Sequence, residues 1–484
     1  MSKFNQTATT KVNNYENGIN YLNDAKIELS SIVLNATMSG DSFYENESSK
    51  IEIIKNLIAS SQSDFLAKLS IFARTQTNLR SVSHVLIVLL AEHNDKSGCL
   101  RKAVYGSIAR VDDMTEIVSL WNSRHPNKML PNSIRRAFRD ILDEARFDKY
   151  QLKKYEQKKK KVKLKDIIRI AKPSKNLELY KKVLDESLPK IDTIHTNISK
   201  DKSAKELFEE GLKTKKLGFM EVLKLSSKIF EGEFDYKLFL SWRSYIVNEY
   251  RIKNSKVLPF RYFQTYMALK NHPKSTLFKK VLQEAFLIAT KSDETIIDPN
   301  ETIAIMIDDS GSMSSRSLGL NLFEHALLFT ASIASKINPQ NLKLYFWANR
   351  CEEFSFDTNR PFDLIINSRA NYGATYVSKP FEILLRDGIK VDKTIIFTDC
   401  QMYSDDYYRS SESFKTYFDK YKQQVNSECK LLFWDLAGYG AGTPIKLSEN
   451  IVEANGISSK MLEIIPHLWD DKDYLVKEIE KISL

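Results

Sequence analysis

The segment from Asp308 to Ser312 has the residue types and spacing of a divalent-cation loop. An apolar, β-branched run over residues 302–307 leads directly into Asp-Asp-Ser-Gly-Ser. The Asp308 carboxylate and the Ser310 and Ser312 hydroxyls are hard oxygen ligands, which suit a cation such as Mg²⁺ that accepts few carboxylates and keeps several waters. We therefore predict that this loop binds Mg²⁺ or another divalent cation. The alternative is that Asp308 and Ser310 only cap the following turn, and the spacing leaves the role of Asp309 undecided.

Two later segments are compatible with the same site. Residues 371–375 read Asn-Tyr-Gly-Ala-Thr, a loop of small residues that ends in a hydroxyl, and the β-like run 394–398 ends at Asp399. Ligands of parallel sheets bind beyond the carboxyl ends of the strands. Because Asp308 and Asp399 each follow a predicted strand, the cation hypothesis agrees with the expected sheet geometry.

The elements that would position these residues change in type near residue 296. Apolar residues recur at helical spacing over residues 19–290, which predicts an all-helical solenoid built from helix pairs. Short apolar runs then alternate with helical patterns, which predicts a parallel, Rossmann-like sheet with crossover helices. The predicted strands are 302–307, 342–347, 393–398 and 429–434, and the predicted helices between them are 318–336, 377–387 and 411–426. We accordingly predict two domains, 1–296 and 297–484.

Several bulk properties exclude other classes of protein. The chain has 484 residues, and its longest apolar run, residues 85–91, is far too short to span a membrane. The polar N-terminal segment does not resemble a signal peptide. The four cysteines are dispersed without a paired spacing, which indicates free thiols of an intracellular protein. We expect a cytoplasmic protein without a membrane partner, and a monomer.

Charge is distributed very unevenly. Residues 297–484 sum to −7 and residues 1–296 to +17, which marks the first part as a partner for polyanions. Lys149–Lys175 contains twelve basic and two acidic residues, and residues 251–280 contain eight basic residues and no acid. Phosphates supply charge, and the aromatic residues at positions 260, 262, 263 and 266 could stack on unpaired bases, which favours RNA. The alternatives are that the lysine run is a solvated surface and that Phe260 and Phe263 pack in a core.

No arrangement of residues indicates an enzyme. The sequence lacks a Ser/His/Asp constellation, a phosphate-binding P-loop and a dinucleotide glycine motif. A nuclease is the weakest hypothesis, because the cation loop offers few carboxylates and the sequence shows no second acidic cluster. We therefore predict a protein without catalytic activity.

Several short stretches of the helical part form a recognisable series in chain order. They are residues 42–44, 79–84, 129–132, 147–150, 163–169 and 258–261, together with Arg135 and Arg136. In these stretches the helical part resembles the TROVE module of the Ro ribonucleoprotein autoantigen family and its bacterial relatives. The part after residue 296 resembles a von Willebrand factor A domain, with its metal-ion-dependent adhesion site (MIDAS) followed by an apolar strand at 429–435. The resemblance departs from the family at residues 217–223, where a Leu-Arg-Asn-Leu-type stretch is missing.

The resemblance implies a ring of HEAT-like helical repeats closed by the A domain. It implies that the metal ligands are Asp308, Ser310, Ser312, Thr375 and Asp399. RNA contacts would be made by Arg135, Arg136, Arg139, Lys165, Arg169 and Arg261. To these the charge pattern adds Lys158, Lys159, Lys160 and Lys161.

The resulting expectation is a ribonucleoprotein of RNA quality control. Single-stranded ends of misfolded or small noncoding RNAs would enter the basic ring, and structured RNA of the Y RNA type would bind its outer surface. Some bacterial relatives act beside an exoribonuclease, polynucleotide phosphorylase, so a protein partner of this kind is expected. The alternative is a protein-interaction scaffold whose metal site grips an acidic residue of a partner.

Overall fold

The computed structural model describes most of the chain. The described residues are 11–14, 19–22, 24–35, 47–59, 62–93, 98–154, 161–189, 203–214, 217–290, 298, 300–376, 378–402, 414–439, 442–458 and 460–484. No helix within these residues is long and apolar enough to cross a membrane.

Helices dominate the chain up to residue 290. They are α1 Ala25–Asn35, α2 Glu47–Ala59, α3 Ser63–Thr75, α4 Arg80–Glu92, α5 Cys99–Ser107, α6 Val111–Arg124, α7 Asn132–Asp143, α8 Lys149–Lys154, α9 Leu164–Ala171, α10 Leu177–Leu184, α11 Ala204–Thr214, α12 Phe219–Ile229, α13 Tyr236–Ile246, α14 Glu249–Ser255, α15 Phe260–Leu269 and α16 Ser275–Thr290. The later helices are α17 Leu322–Ala334, α18 Pro361–Asn367, α19 Lys379–Arg386, α20 Phe414–Gln424, α21 Met461–Leu468 and α22 Tyr474–Glu480.

Strands are concentrated after residue 302. They are β1 Lys11–Asn13, β2 Ile19–Tyr21, β3 Ile303–Asp308, β4 Arg316–Ser317, β5 Leu320–Asn321, β6 Leu342–Trp347, β7 Cys351–Glu353, β8 Lys393–Thr398, β9 Lys430–Asp435 and β10 Ile451–Asn455. The predicted strands at 302–307, 342–347, 393–398 and 429–434 are confirmed to within one residue.

The chain forms two compact units that do not follow the predicted boundary at residue 296. The sheet unit contains Met1–Leu57 and Glu233–Lys477, and the helical unit contains Ile58–Gly232 and Glu478–Leu484. The sheet unit therefore includes α13–α16, because α16 packs on α18 and the Gln283 side chain accepts a hydrogen bond from the Phe362 backbone at 3.1 Å. The assignment of residues 1–296 and 297–484 to separate domains stays a prediction.

A six-stranded sheet forms the core of the sheet unit. Its order is β10-β9-β8-β3-β6-β7, and every neighbouring pair is parallel except β6 with β7. All six residues of β3 are buried, as expected for a central strand with both faces covered. The sequence prediction of a Rossmann-like sheet with crossover helices is thereby confirmed, with β7 as an antiparallel edge.

The N-terminal residues add a hairpin that the sequence analysis missed. Strands β1 and β2 pair in antiparallel register, and Tyr21 exchanges backbone hydrogen bonds with Thr443 at 2.8 and 3.1 Å. The Asn20 amide donates to the carbonyl of Cys400 at 3.0 Å and to that of Gly442 at 3.2 Å. These three-residue strands are too short to show a clear alternation of apolar and polar residues, so tertiary contacts decide their conformation.

The helical unit has the amphipathic pattern predicted for it. In α7 the side chains of Ile134, Phe138, Ile141 and Leu142 are buried, whereas the three arginines of the helix are exposed or half-buried. Helix α7 packs on α5 and α9, and α3 packs on α4 and α5. Helix pairs of this kind are the arrangement expected for a solenoid.

Candidate functional site

The predicted cation loop lies at the carboxyl edge of the sheet. Strand β3 ends at Asp308 and is paired with β8, so Asp308 stands beside Thr398, the last residue of β8. The Thr398 hydroxyl donates to Asp308 Oδ2 at 2.7 Å. Asp399 follows Thr398 directly, so the sheet register brings Asp308 and Asp399 to the same end of adjacent strands.

The serines turn towards the same place. The Ser310 backbone N–H donates to Asp308 Oδ1 at 2.9 Å, and the hydroxyls of Ser310 and Ser312 lie 3.2 Å apart. The Ser312 hydroxyl is hydrogen-bonded to the Asp399 carboxylate. Four of the five predicted ligands therefore form one connected group, and the exposed fraction of each is 4% or less.

The loop that carries Thr375 runs alongside this group. The Gly311 N–H donates to the Gly373 carbonyl at 3.2 Å, and the Tyr372 N–H donates to the Asp309 carbonyl at 2.8 Å. Thr375, two residues beyond Gly373, is buried. The structure thus places all five predicted ligands in two adjoining loops and one strand end.

Asp309 has a structural partner that the sequence did not reveal. Its Oδ2 atom accepts hydrogen bonds from the Asn371 backbone at 3.2 Å and from the Asn371 amide at 2.8 Å. Arg350 in turn donates to Asn371 Oδ1 at 2.7 Å. Asp309 therefore fixes the loop of Thr375 against the loop of the serines, rather than facing solvent.

The electrostatics of the group favour a bound cation. Burial raises the pKa of Asp308, and the neighbouring Asp309 charge raises it further. Burial and the Asp308 charge likewise raise the pKa of Asp399. Within the described chain, Asp399 Oδ2 and Asp309 Oδ1 are buried without a hydrogen-bond partner. Two buried carboxylates and three hydroxyls, with the unsatisfied Asp399 Oδ2 among their oxygens, fit a hard divalent cation.

The described residues offer no cluster of three or more His, Cys, Asp or Glu side chains at the candidate cation site. A cation at this edge would therefore depend on hydroxyl oxygens as much as on carboxylates, which is the balance predicted for the loop.

A second acidic cluster lies next to Asp399, which corrects the sequence analysis. A small cavity is lined by Asp399 together with Glu28 of α1, Asp435 of β9 and Glu453 of β10. The sequence could not show it, because the three added carboxylates are more than 400 positions apart from first to last and meet only when α1 packs on β10.

Hydrogen bonds satisfy much of this second cluster. The Ser31 hydroxyl donates to Asp435 Oδ2 at 2.9 Å, and Asp435 Oδ1 accepts from the backbone of Ala437 and Gly438 at 2.8 and 3.0 Å. Burial and the Glu28 charge raise the pKa of Glu453. Buried and hydrogen-bonded carboxyls of this kind are suited to holding α1 on the sheet and not to reaching a phosphodiester.

The predicted RNA-contact residues fall in two places. Arg135 and Arg139 on α7 donate through Nε to the carbonyls of Ile170 and Ala171 at 3.5 and 2.9 Å, which satisfies the C-terminus of α9. Arg136 and Arg169 are exposed, and Lys165 pairs with Glu186 at 3.2 Å. The helical unit therefore brings these five residues together on the packed pair α7 and α9.

The remaining candidates do not join this group. Arg261 belongs to the sheet unit, where its guanidinium lies 4.8 Å from the centroid of the Phe260 ring and donates to Gln264 at 2.8 Å. Lys161 is exposed in the helical unit. Lys158, Lys159 and Lys160 lie outside the described residues.

The aromatic residues singled out near Arg261 are largely core residues. The exposed fractions of Phe260, Tyr262 and Phe263 are 1%, 0% and 2%. The Phe263 ring packs edge-on against Phe362 with centroids 5.2 Å apart. Of the two interpretations that the sequence allowed, packing in a core is correct, and these three rings are not available to stack on bases.

Comparisons with known proteins agree with this architecture. Residues 24–228 match the family model of the TROVE domain. The fold is similar to the crystal structure of the Ro (RSR) protein of Deinococcus radiodurans, with a TM-score of 0.58 and 13% sequence identity over 91% of this chain and 100% of that chain. No curated protein sequence matches the chain.

Proposed function

We propose that this chain, whose residues 24–228 match the TROVE domain, is a non-catalytic RNA-binding protein that acts as part of a ribonucleoprotein. The observation that carries the proposal is the match of residues 24–228 to the TROVE domain, in a region with a strongly basic surface. The ring implied by the family resemblance remains a prediction within this proposal.

The basic surface is suited to phosphate. The exposed basic side chains of residues 132–189 include the following: Arg136, Arg139, Lys149, Lys154, Lys161, Arg169, Lys172, Lys175, Lys181 and Lys182. Each lysine or arginine that neutralises a phosphate releases a counterion, so binding here would be strongly salt-dependent. We propose that this surface binds the backbone of a small noncoding or misfolded RNA, including RNA of the Y type.

The lysine run provides the test of this assignment. Replacing Lys158, Lys159, Lys160 and Lys161 by Ala should weaken binding of a structured RNA and reduce the slope of log affinity against log salt by up to about 4. The charge-matched control replaces Lys390, Lys415, Lys446 and Lys477, four exposed lysines of the sheet unit, by Ala. Equal salt slopes for the two variants would show that the run does not contact RNA.

We further propose that the sheet unit is a von Willebrand factor A domain with a metal-ion-dependent adhesion site. Asp308, Ser310, Ser312, Thr375 and Asp399 would hold Mg²⁺, whose role when bound is to accept an anionic oxygen from a partner. The supports are the shared sheet edge, the raised carboxyl pKa values and the unpaired buried oxygen of Asp399.

The same site favours a second candidate function, a metal-dependent protein-interaction scaffold. A partner such as an exoribonuclease would then bind through an acidic residue, and RNA would be incidental. Copurification distinguishes the two: nuclease-sensitive material that absorbs at 260 nm supports RNA binding, whereas a stoichiometric protein released by EDTA supports the scaffold.

A nuclease activity has little structural support. The second acidic cluster is the feature that could have supplied it, but Glu28, Asp435 and Glu453 are 3%, 5% and 6% exposed. Incubation of labelled RNA with the protein and Mg²⁺ should leave the RNA intact, and discrete cleavage products would contradict the proposal.

A further inference from the structure

The segment from residue 236 to residue 280 is a strongly basic part of the sheet unit. It carries ten lysines and arginines and a single acidic residue, Glu249. It lies outside residues 24–228, which match the TROVE domain. Six of its lysines are exposed: Lys237, Lys253, Lys256, Lys270, Lys274 and Lys280. Such a density of positive charge is complementary to a polyanion.

Two tyrosines of this segment are exposed although the neighbouring aromatics are buried. The exposed fraction is 61% for Tyr236 and 78% for Tyr250, whereas Phe260, Tyr262 and Phe263 are at most 2% exposed. The faces of these two rings are therefore accessible to a flat group that stacks on them.

The exposed face of α13 combines apolar and basic groups. Tyr236, Leu240 and Arg243 follow one another at spacings of four and three residues, which places them on one side of the helix. The adjoining side is anchored, because Phe239 and Trp242 are buried against Phe278 with ring centroids 5.6 and 5.5 Å apart. The exposed stripe is therefore held on a firmly packed helix.

The Tyr236 ring is itself held in place. It is stacked on Phe239 with centroids 6.1 Å apart and an interplanar angle of 27°. A ring that is already ordered loses little conformational entropy when a second flat group stacks on its outer face.

The exposed face of α14 repeats this combination. Tyr250 and Lys253 are one helical turn apart, and both are exposed. Lys253 pairs with Glu249 at 3.1 Å, and Arg243 pairs with Glu284 at 3.3 Å, with all four side chains about half exposed. Exposed ion pairs contribute little to stability, so these cations can exchange a carboxylate for a phosphate at small cost.

We propose that Tyr236 and Tyr250 stack on unpaired bases of single-stranded RNA, while Arg243 and Lys253 contact its phosphates. The inference rests on the proposed RNA-binding function and deepens it, since it locates a single-strand site beyond the TROVE-matched residues. Alternating aromatic and basic groups on a surface bind single strands without reading their sequence. Duplex RNA hides its base faces, so this surface discriminates against it.

The test compares single-stranded and duplex RNA on the full-length chain. The probes are a fluorescently labelled oligouridine of roughly 12 nucleotides and the same strand annealed to oligoadenosine. Replacing Tyr236 and Tyr250 together by Ala should weaken binding of the single strand about 10- to 100-fold and leave duplex binding unchanged. The salt dependence should be unchanged, because no phosphate contact is lost.

The double replacement by Phe is the matched control, since it keeps both rings and should keep single-strand affinity. Photo-crosslinking of a 4-thiouridine version of the strand should give adducts at Tyr236 or Tyr250. The inference is overturned if the Ala variant binds the single strand as the unchanged protein does, or if it loses duplex binding equally.

Other outcomes separate this inference from the proposed function. Binding of duplex but not of single strands by the unchanged protein would refute the inference and leave the RNA-binding function standing. Binding of neither RNA would refute both. Loss of a copurifying protein from the Ala variant, with RNA affinity intact, would assign the surface to a protein partner and overturn the inference.

Discussion

Asp309 holds two loops of the candidate cation site against each other. It is buried, it follows a proposed ligand, and its two hydrogen bonds go to Asn371 and not to the cation loop. Residues that orient metal ligands commonly matter nearly as much as the ligands themselves. The contribution of Asp309 is therefore to join two loops, although its charge also adds to the negative potential.

We predict that Asn371→Ala and Asp309→Ala both weaken Mg²⁺ binding by about 10-fold or more, because each releases the loop that carries Thr375. Isothermal titration of Mg²⁺ into each variant measures the effect. Asn371→Ala is the informative control, since it removes the side-chain amide hydrogen bond to Asp309 and leaves the Asp309 charge in place. Full Mg²⁺ affinity in Asn371→Ala with a loss in Asp309→Ala would show that charge and not position is responsible.

The buried carboxyls also predict a pH dependence. Burial raises the pKa of Asp308 and Asp399, so without a cation the folded protein binds more protons than the unfolded chain. Their contribution to the free energy of unfolding therefore falls as pH rises from the ordinary carboxyl pKa to the raised values. A cation binds only the deprotonated carboxylates. Bound cation therefore stabilises the folded protein at high pH and offsets the fall in the free energy of unfolding.

The expected result is a Mg²⁺-induced rise in Tm that is larger at about pH 8 than at about pH 5.5. Thermal melts with Mg²⁺ and with EDTA at both pH values provide the measurement. A Mg²⁺ effect that is the same at both pH values, or larger at the lower one, would show that these carboxyls do not bind the cation.

At the scale of elements, long periodic patterns were predictable and short or distant pairings were not. Strand β3 could be read from a buried β-branched run and α7 from its apolar spacing, because each pattern is local. The β1–β2 hairpin and the acidic cluster of Glu28, Asp435 and Glu453 depend on contacts between distant parts of the chain. Sequence periodicity carries no information on such contacts, so both were missed.

In the candidate site, too, the residues within local patterns were predictable and the contacts between distant segments were not. Asp308, Ser310 and Ser312 were predictable because they lie in one short loop, and Asp399 because it ends a strand that pairs with β3. The link from Asp309 to Asn371 was not predictable, since it depends on how two loops are folded against each other. The two exposed tyrosines were missed for a related reason, because sequence alone does not show which aromatics are left outside a core.

Helix α7 carries two exposed arginines with different surroundings. Arg139 donates to the carbonyl of Ala171 at the end of α9, whereas Arg136 lies one turn away from that contact. We predict that Arg139→Ala lowers the free energy of unfolding by about 1 kcal/mol, because it removes a hydrogen bond at a helix C-terminus.

Arg136→Ala should instead leave stability unchanged and weaken RNA binding with a smaller salt slope. Denaturant unfolding and RNA binding measured on both variants test the distinction. Unaltered RNA affinity in Arg136→Ala would remove this residue from the proposed interface.

At the scale of the whole molecule, the chain separates charge between its two parts. The first 296 residues carry +17 and the remainder −7, and the TROVE match falls within the basic part. The proposed cation site lies in the acidic part, where negative potential attracts a divalent ion and repels phosphate. We therefore propose that the polyanion binds the basic part and the cation the acidic part.

The account depends most on the claim that this chain binds RNA in its own cell. Ultraviolet crosslinking in living cells, followed by denaturing isolation and sequencing of attached RNA, tests it most directly. We predict enrichment of small noncoding RNAs, with crosslinked peptides from the basic surface of residues 132–189. Recovery of no more RNA than from cells that were not irradiated would contradict the account.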